Sequence, residues 1–319
     1  MQKRIFFSFR VCVGILLLYA VFKIVPYKSL LPLFKKISYF YIFLGFFSIL
    51  FLHLIAGLRW YFILKILKIK VSLKEAIYAF FSGLFFNLFF PSLIASDIFR
   101  SVALISRFSK GEKILASVII DRFSGIVALT FLVLISFILR KEFLEEKEIF
   151  LGIGLLIITS SLFLFFLYSS YPFKLINKLF KRKQNFLEKI NNLCKDLNFF
   201  RKKPFAFFKI VTAYSFPIQV LNIFSFFFTL QAFGEKISLI AFFLTVPFII
   251  LIATLPVTVA GIGTRELACI YFFSKIGIKK NMALALSLFN LFFMISVAIL
   301  GGLIYVMVYY RWLESAKKY

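Results

Sequence analysis

The chain has 319 residues, 62% of them hydrophobic, with a mean hydropathy of +0.98 and a formal charge of +26. No water-soluble domain of this length has such a composition, so the chain is expected to be an all-α polytopic membrane protein. With no soluble domain to hold a duplex, the basic excess is expected to serve orientation and anionic headgroups rather than nucleic acid.

A helix needs about 20 apolar residues to cross the hydrocarbon core. The first apolar run, Phe9–Val25, carries Arg10 and Lys23 only near its ends, where long basic side chains reach the interface. It follows Lys3 and Arg4 like a signal peptide but lacks a small-x-small cleavage site, so it is expected to remain as a first span. A second span is expected over Ile37–Leu58, with His53 inside it.

The stretch Ala76–Ser96 is uncharged and long enough to cross, yet both flanks are basic: Arg59, Lys65, Lys68, Lys70 and Lys74 before it, Arg100, Arg107, Lys110 and Lys113 after it. Basic residues collect on the cytoplasmic side. The segment is therefore expected to enter the membrane and return to the same side as a re-entrant hairpin broken near Pro91. Such breaks survive at membrane depth only where they pack inside protein or line a cavity. Asn87, four residues before Pro91, can satisfy backbone groups freed by the proline or offer donors to a phosphate or sugar. Asp97 and Arg100, at i and i+3, share a helix face. They either touch a charged headgroup or form an ion pair that ends the hairpin.

The next span, Ile114–Leu139, contains Asp121 and Arg122 about two turns in. A charge at the bilayer centre costs about 2.5–3.5 kcal/mol. Adjacent residues point about 100° apart on a helix, so each needs a partner from another helix, and Arg100 and Asp97 are the obvious candidates. Buried charges of this kind mark a functional site.

Beyond the acidic loop 140–148 comes a span at Ile149–Phe173 and then the one sizeable loop, 172–203. There Phe186, Ile190, Leu193 and Leu197 make a helical stripe, while Lys181, Arg182, Lys183, Lys189 and Lys195 fill other faces. This reads as an amphipathic segment lying on the inner leaflet. A span at Ile210–Gly234 follows, with Gln219 and Asn222 as inter-helix hydrogen bonders. The stretch 237–274 must start and finish on the outer side. It is broken by Pro256, Gly261 and Gly263, because proline removes a backbone donor and glycine permits a sharp reversal. Thr264 is either a simple N-cap or, with Arg265, part of an anion contact at a helix N-terminus. Asn281–Tyr310 is the last span.

These elements give six spans and two re-entrant hairpins in a single membrane domain, 1–319. Segments 1–10, 59–74, 100–113, 172–203 and 311–319 carry most of the Lys and Arg, so both termini are expected in the cytoplasm. The halves 1–140 and 148–311 have the same order of elements from opposite faces, and Pro91 and Pro256 are separated by about the same offset as the spans that follow them. This is the pattern of an inverted repeat, a recurrent transporter plan. Cys12, Cys194 and Cys269 have no metal-ligand spacing, and neither a cofactor nor a metal is expected.

The run Asn87-Leu-Phe-Phe-Pro91, then Asp97-Ile-Phe-Arg100, then Asp121-Arg122-Phe-Ser-Gly125 resembles the membrane domain of bacterial lysylphosphatidylglycerol synthases. Leu255-Pro256, Gly261-Ile-Gly263-Thr-Arg265-Glu266, Gly277, Ala283-Leu-Ala285 and Gly301-Gly302 resemble the family's second signature, and Gly57-Leu-Arg59-Trp60 a weaker early one. One departure is that Ser-Leu-Ile-Ala-Ser at 92–96 replaces a glycine-rich stretch. The resemblance implies a flippase-type role in a bacterial or archaeal cytoplasmic membrane, without the soluble domain that carries synthase activity.

The expected function is thus a lipid flippase-like transporter without ATP hydrolysis, and not an enzyme. Its candidate substrate-binding residues are Asn87, Asp97, Arg100, Asp121, Arg122, Thr264, Arg265 and Glu266. Its partners would be membrane lipids with an anionic or sugar-bearing headgroup, with self-association left open. The alternatives are an intramembrane enzyme using Asp97 or Asp121 as base, and a membrane scaffold for a lipid synthase.

Overall fold

A computed structural model describes residues 16–88, 95–108, 110–139, 147–169, 195–197, 199–254, 258 and 261–309. Every described element is helical. In chain order they are α1 (Leu16–Ile24), α2 (Tyr39–Ile66), α3 (Leu73–Asn87), α4 (Ala95–Phe108), α5 (Gly111–Leu139), α6 (Lys147–Tyr168), α7 (Pro204–Ala232), α8 (Leu239–Thr254), α9 (Thr264–Lys275) and α10 (Lys280–Ile304). Short 3-10 turns cover Tyr27–Ser29 and Leu31–Lys36.

Five helices are long and apolar enough to cross a membrane: those over Tyr39–Ile66, Gly111–Ile138, Phe150–Tyr168, Pro204–Ala232 and Lys280–Met307. α1 with the turns after it, bent by 54° between Leu16–Ile24 and Tyr27–Phe34, passes the same test only when the two pieces are counted as one. The start of the expected first span, 9–15, lies outside the described residues. The second span is longer than its apolar run. α2 continues to Ile66, so Arg59 sits inside the helix rather than opening an inner loop.

Between the spans lie two helical hairpins. α3 starts with a capping box: the Ser72 N–H donates to Glu75 Oε2 at 2.8 Å, and the Glu75 N–H donates to Ser72 Oγ at 3.3 Å. α3 then packs against α4. Arg107, in the last turn of α4, reaches back to Glu75 in the first turn of α3, with Nη2 3.2 Å from Oε1. Both open ends therefore lie at one end of the bundle, as the flanking charges require. At 15 residues α3 is about 22 Å long, short of the ~30 Å hydrocarbon core. The second hairpin is α8 with α9. Phe248 stacks on Phe272 and Phe242 meets Phe273, each pair with centroids 5.5 Å apart. Near the tip, Gly261 (φ +73°) and Gly263 (φ +88°) adopt the left-handed backbone that glycine permits, and a Cβ on Gly261 would lie 2.9 Å from Ala253 O. The prolines expected to break the hairpins, Pro91 and Pro256, lie outside the described residues.

The hairpins open to opposite ends. Beside the mouth of α3–α4 are the end of α2 and the start of α5, with Lys113 Nζ 4.0 Å from Asp196 Oδ1. At the other end the Ser38 N–H donates to Ala232 O at 2.9 Å, and Asn281 Nδ2 donates to Ser29 O at 3.4 Å. Two apolar cores are stacked between these ends. One joins Trp60, Ile63, Ala76, Phe81, Ile114, Ile120, Phe163 and Ile210. The other joins Val25, Leu132, Leu156, Phe226, Phe242, Phe273 and Leu284. α5 runs through both, contributing its first half to one and its second half to the other. Helix contacts come in exchangeable pairs: α3 packs on α10 as α8 packs on α5, α4 on α5 as α9 on α10, and α2 on α3 as α7 on α8, while α2 and α7 pack on each other. Of the amphipathic loop 172–203, residues 172–194 and 198 lie outside the described residues. Lys195–Leu197 and Phe199–Lys202 are helical, with Leu197 and Phe200 buried in the first core.

Candidate functional site

Where α4 returns along α5, five charged side chains form one network. Arg100 Nη2 donates to Asp97 Oδ1 at 2.6 Å and to Asp121 Oδ2 at 2.8 Å. Arg122 Nε donates to Asp97 Oδ2 at 2.6 Å. Arg59 Nε donates to Asp121 Oδ1 at 2.7 Å. The inter-helix pairing expected from the 100° separation of Asp121 and Arg122 is the one found: Asp121 with Arg100, and Arg122 with Asp97. All four carboxylate oxygens accept from an arginine. Three arginines and two aspartates leave one net positive charge in the network, in surroundings where water screens little.

Arg59 is the member that sequence reasoning placed elsewhere. It ends an uncharged run, which made it look like the first residue of a loop. Its signal was the buried stripe Leu52, Ala56, Arg59, Trp60, Ile63 and Leu64, which keeps helical spacing through the charge. Arg59 also ties in a third span: its Nη1 donates to Ser215 Oγ at 2.9 Å. Ser215 closes a π-turn, Val211–Ser215, inside α7, and in turn donates to Ser124 Oγ at 3.1 Å. Such single wide turns recur at functional sites because they re-aim side chains without ending the helix. Neighbouring Trp60 donates from Nε1 to Ser117 Oγ at 3.0 Å.

Arg100 is the most enclosed member, with 2% of its side chain exposed. Its guanidinium lies over the Trp60 ring at 4.6 Å and the Phe80 ring at 5.3 Å, and its Nε and Nη1 have no hydrogen-bond acceptor. The ring faces supply the missing negative potential. Arg122 is the open member, with 44% of its side chain exposed. Asn87 lies at the end of α3, and its Oδ1 is buried without a hydrogen-bond partner. Gln219 Nε2 donates to Gly125 O at 3.3 Å, the inter-helix bond expected of it, whereas His53 turns back to Ile49 O on its own helix at 2.8 Å.

Arg265 and Glu266 form a second buried cluster at the start of α9. Glu266 Oε2 accepts from the Gly263 N–H at 2.6 Å, and its Oε1 accepts from Arg265 Nη2 at 2.8 Å and Ser287 Oγ at 3.1 Å. Arg265 Nη1 lies 3.7 Å from Met294 Sδ on α10. Thr264 Oγ1 donates to Gly261 O at 2.9 Å and lies 3.2 Å from Thr258 Oγ1. The helix N-terminus expected to attract an outside anion thus holds a carboxylate of its own. Among the described residues, no group of three or more His, Cys, Asp and Glu side chains could hold a metal ion.

Long apolar helices, two short hairpins opening to opposite ends and buried arginine–aspartate pairs define a multi-pass helical membrane protein with a polar site in its interior. The chain belongs to the lysylphosphatidylglycerol synthase TM region family, whose model matches residues 7–310. No curated protein and no solved structure matches the chain.

Proposed function

We propose that the chain moves a lipid with an anionic or sugar-bearing headgroup between the leaflets of the cytoplasmic membrane. The observation that carries this reading is the buried charge network where the start of α4, near the tip of one hairpin, meets the span α5, with a second hairpin open to the other end. A headgroup crossing between the hairpins would find arginines in place of water, while its acyl chains stay in lipid. The exchangeable helix contacts support an inverted repeat, the architecture from which alternating access follows by rocking one half against the other. Family membership supports a role in membrane lipid biology.

Lys65, Lys68, Lys70, Lys74, Arg107, Lys110 and Lys113 fall at the ends of α2–α5 that border the mouth of α3–α4, which supports a cytoplasmic mouth. Ser29, just after α1, and Asn281, at the start of α10, meet at the opposite end, which supports both termini lying with the basic end. An intramembrane enzyme using Asp97 or Asp121 as base has less support, because both oxygens of each carboxylate are already engaged by arginine.

The test is leaflet exchange of fluorescent phospholipids in vesicles containing the purified protein. Asp97→Asn and Arg122→Gln are expected to slow exchange at least about tenfold, the effect of losing one buried charged contact. Unchanged exchange in both variants refutes the proposal.

A further inference from the structure

Asn222 and Ser225 on α7 and Asn290 on α10 lie inside spans. Each nonetheless keeps a buried polar atom without a hydrogen-bond partner among the described residues: Asn222 Oδ1, Ser225 Oγ and Asn290 Nδ2. Ser225 is wholly buried and Asn290 is 5% exposed. Asn222 and Ser225, at i and i+3, share a face of α7. There α7 meets α2 and α10: a Cβ on Gly45 of α2 would lie 3.4 Å from Ser225 O and 3.1 Å from Phe293 Cε2 of α10. Asn290 is one turn before Phe293. The three unpaired atoms therefore belong to the seam of α2, α7 and α10.

This seam adjoins both charged clusters. Two turns before Asn222 on α7 is Ser215, which accepts from Arg59. On α10, Asn290 is one turn from Ser287, which donates to Glu266. The arginines of both clusters are engaged by carboxylates, whereas the unpaired groups of the seam are neutral. A buried polar atom without a partner is costly, and hydrocarbon offers it none. Two amides and a hydroxyl need a partner that both donates and accepts. A phosphate diester oxygen accepts and an ammonium donates, but an alcohol does both.

From this geometry we propose that the seam is a subsite for headgroup hydroxyls, and that the lipid this chain moves carries a glycerol or sugar headgroup. The inference rests on the lipid-moving role proposed above and narrows its substrate class. Asn222, Ser225 and Asn290 determine specificity by pairing with those hydroxyls. The seam lies within spans, so the hydroxyls arrive attached to a lipid rather than on a soluble polyol.

Phosphatidylglycerol and phosphatidylmethanol carry the same charge and differ in headgroup hydroxyls. Acyl-labelled forms of each, in vesicles holding the purified protein, test the subsite. The protein is expected to exchange phosphatidylglycerol at least about tenfold faster, since a site built to pair a hydroxyl rejects the analogue without it. In Asn222→Leu, Asn290→Leu and the smaller change Ser225→Ala, the two rates are expected to converge. Thermal unfolding reads binding separately. Phosphatidylglycerol is expected to raise the midpoint more than phosphatidylmethanol does, and the difference is expected to vanish in the variants. Without added lipid, the Leu variants are expected to melt no lower than the parent, because an apolar side chain of similar size replaces an unpaired amide. Soluble glycerol phosphate is expected neither to slow exchange nor to reproduce the shift. Equal handling of the two lipids, a preference that survives the variants, or a shift reproduced by glycerol phosphate overturns the proposal. Hydroxyl-dependent binding without exchange sinks the lipid-moving role alone, and exchange without hydroxyl preference sinks the subsite alone.

Discussion

Asp121 accepts from Arg59 on one oxygen and from Arg100 on the other, and so joins α2, α4 and α5 at one carboxylate. Removing its charge leaves two buried guanidinium groups facing each other. Asp121→Asn is expected to lower stability by about 3–5 kcal/mol, the usual result of breaking a buried pair from one side. Lys113→Gln, which breaks a half-exposed contact with Asp196 at 4.0 Å, is expected to change it by less than about 1 kcal/mol. Thermal unfolding of the detergent-purified variants checks both. Legibility at this scale follows chemistry. Asp97, Arg100, Asp121 and Arg122 stood out because charges in an apolar run demand partners. Arg59 was lost because a charge at the edge of such a run looks like the start of a loop, and only the buried stripe that continues past it says otherwise.

At the scale of elements, the first hairpin is seated by glycines. A Cβ on Gly83 would lie 2.7 Å from Ser96 O, one on Gly57 2.8 Å from Ile77 Cδ1, and one on Gly301 would run into Phe81 O of α3. Backbone atoms cannot yield as a flexible side chain can. Gly83→Ala and Gly301→Ala are expected to destabilise by about 1–3 kcal/mol each, the range for overpacking. Gly154→Ala, where nothing lies within 4 Å, is expected to be neutral or slightly stabilising, since alanine is the better helix former. Denaturation midpoints of the three variants discriminate between seating by shape and mere absence of bulk. The hairpins themselves were legible because basic residues flank both sides of one uncharged run, and Pro256 with two glycines interrupts another. The seating was not, because close approach depends on which helix lies opposite, and no local pattern encodes that.

For the molecule as a whole, the orientation is open to direct test. In a background without Cys12, Cys194 and Cys269, single cysteines at Lys70, Lys110 and Lys203 are expected to react with an impermeant thiol reagent only from the cytoplasmic side of cells or inverted vesicles. Cysteines at Lys28, Lys236 and Lys279 are expected to react only from the opposite side. Any member of one set that reacts with the other refutes the topology. Of the six expected spans, five appear as single helices long and apolar enough to cross, because hydrocarbon thickness sets a length that composition reveals. The division of the interior into two stacked cores was hidden, since it arises from which residues of α5 face α3–α4 and which face α8–α9. That division has a mechanical meaning. α5, α6, α7 and α10 contribute to both cores and are the posts that pass between them. On the proposed lipid-moving role, one storey rearranges around its own hairpin while the other stays packed, so the two faces need never open together.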